Sequence, residues 1–320
     1  MDIGANLSAF DRRQQGIRGL RFAVAVYKKF LDDQATQLGA LIAYYAFVSL
    51  FPLLLVLVTV LGFVLQDNPH QREEILNGAL GRIPLVSDSI HVQSLHGSTV
   101  ALVIGIVFAL LAGMGITNAT QNAFDRIWGV PFKQRGNFFV RRGRSLGMLL
   151  LLGSLTIVST AASGFVASTS SGALAAIGSE ILAIASNLLL FTLAFKLLTR
   201  EQLSIRDVIA GVITATVLFQ ALQLLGGYYL SHTLERTTPL YGAFAVVLGL
   251  LAWFYIAAQL ILFAAEVNVV RRERLWPRSL FEENLVATDE QALRMAARTE
   301  ERVQREHVSV EFDQPPIDPN

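Results

Sequence analysis

The chain has 320 residues, of which 53% are hydrophobic and 16% charged; its net charge is +1 and its mean hydropathy +0.49. A soluble domain carries roughly 25% charged residues, so this composition excludes a water-soluble globular fold and predicts an all-α integral membrane protein. Cysteine is absent, which excludes disulfide braces, thiolate nucleophiles and cysteine metal ligands.

The N-terminal stretch, Met1 to Leu31, holds Arg12, Arg13, Arg18, Arg21, Lys28 and Lys29 without an apolar core and small-residue cleavage site. It therefore does not read as a secretory signal peptide. Ile17, Leu20, Val24, Tyr27 and Leu31 recur at spacings of three and four, on one face of a helix. A basic amphipathic helix beside a span is expected to lie in the headgroup layer against anionic lipid; the alternative is a soluble helix packed on the protein.

From Gln34 to Gln66 no side chain is charged, and about 20 apolar residues suffice to cross a bilayer. The first span is read here, at about 38–66. Asp67 to Ser98 is a polar connection, too long for a hairpin turn and expected to fold as a small cap. A second span, about 99–117, is expected to continue as a helix through Asn118, Asn122 and Arg126 toward a basic loop carrying Lys133, Arg135, Arg141, Arg142 and Arg144. Ser145 to Phe195 contains one charge, Glu180, and the turn residues Ser168 to Gly172 divide it into spans of about 145–167 and 174–197. Further spans are read at about 207–230 and 240–267, stopped by Arg271-Arg272-Glu273-Arg274. The remainder is highly charged, with a helix expected at Asp289 to Glu306 and a disordered proline-rich end.

The expected organisation is thus a segment 1–35 with the interfacial amphipathic helix, a bundle of six transmembrane helices over 36–270, and a charged, partly disordered tail over 271–320. Placing both termini in the cytoplasm puts 23 of the 26 lysines and arginines inside; only Arg72, Arg82 and Arg236 fall outside.

Several motifs lie in register along these spans. They are Ala43-Tyr44-Tyr45 and Ser49-Leu50-Phe51-Pro52-Leu53 in the first; Asn122-Ala123-Phe124 and Ile127-Trp128-Gly129 after the second; and Tyr241-Gly242-Ala243, Trp253-Phe254-Tyr255 and Ala265-Glu266-Val267-Asn268 in the sixth. Over about Arg18 to Arg272 the chain resembles the YihY/BrkB family of bacterial inner-membrane proteins. It departs from the expected pattern at Ala264, where glycine is expected. The resemblance implies a multi-pass inner-membrane location and little chemistry; members were once called ribonuclease BN. A metal-dependent nuclease needs clustered cytoplasmic His and Asp ligands. Here His70, His91, His96 and His232 are predicted outside and His307 stands alone. An enzyme, a metal, a cofactor and a nucleic-acid partner are therefore not expected, and ribonuclease is the least favoured function.

The informative residues are polar ones within spans. Glu180 and Asn187 are seven apart, as are Gln259 and Glu266, and Gln220 and Gln223 are three apart, so each pair shares a helix face. Such stripes must face protein or a water-filled cavity, as interhelical hydrogen bonds or as a substrate path. Glu266 has the alternative of an interfacial salt bridge to Arg271 or Arg272. Tyr44 and Tyr45 either anchor in the aromatic belt or, with Ser49, line a pocket. Pro52 removes a backbone hydrogen bond and is expected to kink the first span. Asn118, Asn122 and Arg126 form an i, i+4, i+8 stripe which, with Arg141, Arg142 and Arg144, is a candidate contact for an anionic headgroup or solute; the positive-inside rule alone also accounts for the charges.

The leading expectation is a transporter or exporter of an anionic, amphipathic or lipid-like substrate, in contact with membrane lipids. The alternative is a non-catalytic scaffold recruiting partners through its cytoplasmic segments. Gly226-Gly227 and Gly242 permit close helix contact with the same chain or another, and leave the oligomeric state open.

Overall fold

A computed structural model describes residues 11, 14–64, 99–135, 138–169, 173–233, 242–281 and 285–313. These residues are helical without strands: α1 (Arg18–Asp32), α2 (Ala35–Val64), α3 (Thr99–Ile127), a 3-10 turn (Phe132–Gln134), α4 (Phe138–Thr169), α5 (Ala173–Leu198), α6 (Ile205–Thr233), α7 (Gly242–Glu273) and α8 (Ala287–Thr299). Among them, five segments are long and apolar enough to cross a membrane: Ala35–Val56, Val103–Ile127, Glu180–Leu198, Ile205–Gly226 and Val247–Glu273. The predicted cap between the first two spans, with His70, His91 and His96, lies outside the described residues, as does the proline-rich end. The tail helix stops at Thr299, short of the expected Glu306, and α2 continues through Pro52.

The chain divides into two compact units. The first comprises Met1–Leu38, Thr120–Thr216 and Gln259–Asn320. Within it α4 and α5 pack on each other. Phe124 and Phe195, both wholly buried, join the end of α3 to α5 with ring centroids 5.4 Å apart. Phe30 of α1 meets Phe263 of α7 edge-on at 6.0 Å, and Phe22 meets Trp276 at 5.3 Å. α6 and α7 come so close that a Cβ on Gly211 would lie 2.2 Å from the Ala264 carbonyl oxygen; the Gly211 N–H donates to Asn268 Oδ1 at 2.5 Å. Only a residue without Cβ permits that approach.

The second unit comprises Gly39–Ala119 and Val217–Ala258. Leu50 and Leu250 are its buried nucleus, with Phe47, Leu54 and Phe254 around them. Tyr45 lies over Gly115, where a Cβ would stand 2.6 Å from the ring, and Trp253 similarly covers Gly226. Small residues thus let helices approach where no hydrophobic force drives them together in lipid.

Charged side chains outside the apolar segments are used as fasteners. α1 turns its apolar stripe outward: Ile17, Leu20, Tyr27 and Leu31 are 40–56% exposed, whereas Ala25, Val26 and Lys29 on the other side are buried. The tail is tied to unit 1. Asp289, wholly buried, accepts from Arg278 Nε (2.8 Å), Lys28 Nζ (3.0 Å) and the Ser279 N–H (2.9 Å). Farther on, Lys133 pairs with Glu301 at 2.7 Å and donates to the Glu306 carbonyl at 2.9 Å. The charged tail therefore folds as far as Val308 against its own protein, because its carboxylates find cations there.

Candidate functional site

The end of α3 is closed by Gly129, whose φ of +67° lies in the left-handed region glycine favours, while Val130 N–H returns to the Asp125 carbonyl at 2.7 Å. A side chain at Gly129 is also barred by Met295 of α8, 2.8 Å from where its Cβ would stand. This sharp stop sends the chain into the 3-10 turn and swings Arg135 back onto α3. Its Nε and Nη2 both donate to the Val130 carbonyl, at 3.1 and 3.0 Å.

Two arginines enter the same neighbourhood. Arg144 of α4 donates through Nη2 to the carbonyls of Leu197 (2.8 Å) and Thr199 (2.5 Å), which end α5. A cation on the last carbonyls of a helix also complements its dipole. Arg200 then donates to the Gln134 carbonyl at 2.8 Å and brings Nε to 3.9 Å from Asp125 Oδ2. Arg141 donates to Asn122 Oδ1 at 3.3 Å. Arg135, Arg200 and Arg144 all act electrostatically on Asp125, while Arg141 and Arg126 act on Arg135. Three arginines thus act on one buried carboxylate, Asp125, and two more act on Arg135 beside it. Burial lowers the Arg135 and Arg200 guanidinium values below their ordinary range, and Asp125 opposes that effect. A surplus of planar, multiply donating cations is suited to an incoming anion.

Of the residues expected at this mouth, Asn122 and Arg141 meet directly, and Arg126, Arg142 and Arg144 of the same unit are half-buried; Asn118, also half-buried, belongs to unit 2. Sequence reading missed Asp125, Arg135 and Arg200 as members. Asp125 stands between the expected Asn122 and Arg126, but one carboxylate among basic residues is no signal until the folded loops bring the arginines to it.

The polar stripes separate. Glu180 is exposed on α5 and Asn187 half-buried in unit 1; Gln220 is half-buried and Gln223 exposed in unit 2. Tyr44 is 56% exposed and meets Tyr45 edge-on at 5.4 Å, while Ser49 is buried and donates to the carbonyl of Ala46. Gln259 and Glu266, by contrast, both face the α1–α2 segment. Gln259 Nε2 donates to the Thr36 carbonyl at 3.0 Å.

Glu266 is wholly buried, with Oε2 3.8 Å from Nζ of the equally buried Lys29. Arg272 instead faces Glu201, at 3.8 Å, and Glu273, because it lies more than a turn farther along α7 on another face. Lys29 also donates to Asp33, at the turn after α1, and to the Ile127 carbonyl at 3.3 Å. Lys28 and Lys29 are therefore engaged by carboxylates, in place of the lipid contact expected for the basic side of α1. The Lys29–Asp33 spacing of four is visible in sequence; its partner on the sixth span is not.

Comparison with known proteins follows the same outline. The family model described as virulence factor BrkB matches residues 26–284. The inner membrane protein YhjD of Escherichia coli (strain K12) is 29% identical over 262 residues, covering 74% of this chain and 77% of that protein. A UPF0761 membrane protein of Pseudomonas aeruginosa (strain LESB58) is 26% identical over 277 residues, 81% of this chain and 65% of its own length. An uncharacterized protein of Dickeya dadantii (strain 3937) is 29% identical over 265 residues, covering 74% of this chain and 79% of that one. No solved structure matches the chain. The chain belongs to the BrkB family and is a multi-pass protein of the bacterial inner membrane.

Proposed function

We propose that this BrkB-family protein is a six-span transporter or exporter of an anionic, amphipathic or lipid-like substrate, with both termini in the cytoplasm. The observation that carries the reading is the gathering of Arg135, Arg144 and Arg200 on Asp125, with Arg126 and Arg141 acting on Arg135. On the proposed orientation this basin lies at the cytoplasmic mouth, where an anionic headgroup is first met. Arg135, Arg144 and Arg200 are held by backbone carbonyls, so this part of the basin is preorganised, and preorganised charge gains affinity by lowering the cost of ordering on binding. The span additional to the five long apolar segments is α4, whose apolar length pairs with α5 as a hairpin. The outward apolar stripe of α1 supports an interfacial helix sitting in the headgroup layer.

A transporting path would draw further on Tyr44, Tyr45, Asn187, Gln220 and Glu180. The scaffold alternative is less well supported: the tail's Asp289, Arg278 and Glu301 are already engaged within the chain. The reading assigns no catalytic role to the protein. Purified protein reconstituted into vesicles, presented with a panel of anionic and zwitterionic lipids and anionic solutes, tests it. Movement restricted to anionic members supports the proposal; movement of none across the panel contradicts it.

A further inference from the structure

The charged groups joining α1, α7 and the start of the tail do not balance. Lys28, Lys29 and Arg278 supply three positive charges, while Asp32, Asp33, Asp289 and Glu266 supply four negative ones. Asp11, beside them, is answered by the neutral donors Gln14, Gln15, the Ser279 hydroxyl and the Leu280 N–H. Each of the first three carboxylates has a cation close by. Asp289 accepts from Arg278 and Lys28, Asp32 Oδ2 lies 2.8 Å from Arg278 Nη2, and Asp33 accepts from Lys29. Glu266 is left over. Among the described residues neither of its buried oxygens receives a hydrogen bond, and Lys29 at 3.8 Å directs two of its three donors to Asp33 and the Ile127 carbonyl.

An ionised carboxylate that is buried and receives no hydrogen bond is among the costliest groups a protein can hold. A proton on Glu266 removes that cost. Asp33 shares the Lys29 ammonium with Glu266, so a proton on Glu266 has a carboxyl acceptor at hand. We infer that Glu266 is a proton-binding site, holding one proton that it donates to Asp33 beside Lys29, at the inner end of α7. The proton arrives from water and leaves to water, with no other bond made or broken. The groups that face it are Lys29, Asp33 and Asp32 from α1 and its turn, while Arg278 from the segment after α7 acts on Lys29. A buried ionisable group in a span with a ready exchange partner is the arrangement of a coupling proton. Only that use in driving export rests on the transport reading; the proton itself does not, and it is tested without transport.

The test is difference infrared spectroscopy of the full chain in lipid nanodiscs at neutral pH, with and without carboxyl-labelled glutamate. The site predicts a protonated carboxylic-acid band that shifts with the label and is lost in Glu266→Gln, a variant that keeps the uncharged shape and melts within a few degrees of wild type. Glu180→Gln keeps the band, which secures the assignment if Glu266→Gln does not fold. Absence of the band in wild type, together with a large fall in the melting midpoint of Glu266→Gln, makes Glu266 an ordinary ion-pair partner of Lys29 and overturns the inference. Loss of the band in Glu180→Gln overturns it as well. So does replacement of the band by carboxylate signal on adding sodium at fixed pH, which assigns the site to a metal cation.

Discussion

Lys29 and Glu266, from opposite ends of the chain, meet at 3.8 Å with both side chains fully buried. Nothing in the local sequence of either predicts the other. The contact nevertheless organises the end of unit 1, since α1, α7 and the α1–α2 turn all converge on it. Removing the ammonium by Lys29→Met leaves the Asp33 carboxylate without its cation inside the protein. Breaking one partner of a buried ion pair costs about 3–5 kcal/mol, so this variant should show a markedly lower midpoint in detergent unfolding than Arg305→Met on the exposed tail.

Asp289 makes the tail pH-sensitive in a defined direction. Burial disfavours its charge, but the Ser279 N–H, Arg278 and Lys28 outweigh that and hold its carboxyl below the usual range. A depressed folded value means its stabilisation is fully present above the unfolded value, about 3.9, and is lost as pH falls through the lower folded value. Hydrogen exchange of α8 should therefore be flat from neutral pH down to about 4 and rise, beyond the intrinsic pH dependence, only below it. At neutral pH, Asp289→Asn should loosen α8 by about 3–5 kcal/mol, accelerating its exchange on the order of a hundredfold or more.

The second tie of the tail should behave differently. Lys133 and Glu301 meet at 2.7 Å near the surface, where salt screens a pair. Lys133→Met should raise exchange in residues 300–308, and added salt should do the same in wild type. The amides of α8 should stay protected in both cases, because Asp289 holds that helix separately. Release of α8 by Lys133→Met would show the tail to be one cooperative piece.

Helix contact in unit 1 depends on Gly211. A methyl group there would stand 2.2 Å from the Ala264 carbonyl oxygen and 2.3 Å from Asn268 Nδ2, so α6 and α7 must part. Overpacking of this kind costs about 1–3 kcal/mol or more. Gly211→Ala should lower the unfolding midpoint, whereas Gly153→Ala, with open space around its Cβ, should not.

The apolar helices were legible because hydropathy is local: an uncharged run such as Gln34 to Gln66 declares itself. The shared face of Gln259 and Glu266 was legible from their spacing, and both side chains do turn toward the α1–α2 segment. What they meet was not legible, because Lys29 and the Thr36 carbonyl are distant in sequence. The arginine basin was half visible. Asn122, Arg126, Arg141 and Arg144 follow from helical spacing and the basic loop, but Arg135 and Arg200 join only through the Gly129 stop and the capping of backbone carbonyls. The packed tail was hidden for the same reason: high charge reads as solvated until buried cations such as Arg278 are found opposite it.

The most direct measurement of the transport account is the rate at which a short-chain fluorescent anionic lipid crosses vesicles containing the wild-type protein or the Arg141→Gln, Arg200→Gln double variant, with a zwitterionic analogue in parallel. The account predicts anionic-lipid movement by wild type well above protein-free vesicles. It also predicts a drop of about tenfold in the folded double variant, one charge-assisted contact being worth about 1.5–3 kcal/mol, and little movement of the zwitterionic lipid by either. Equal rates for wild type, double variant and protein-free vesicles would contradict it.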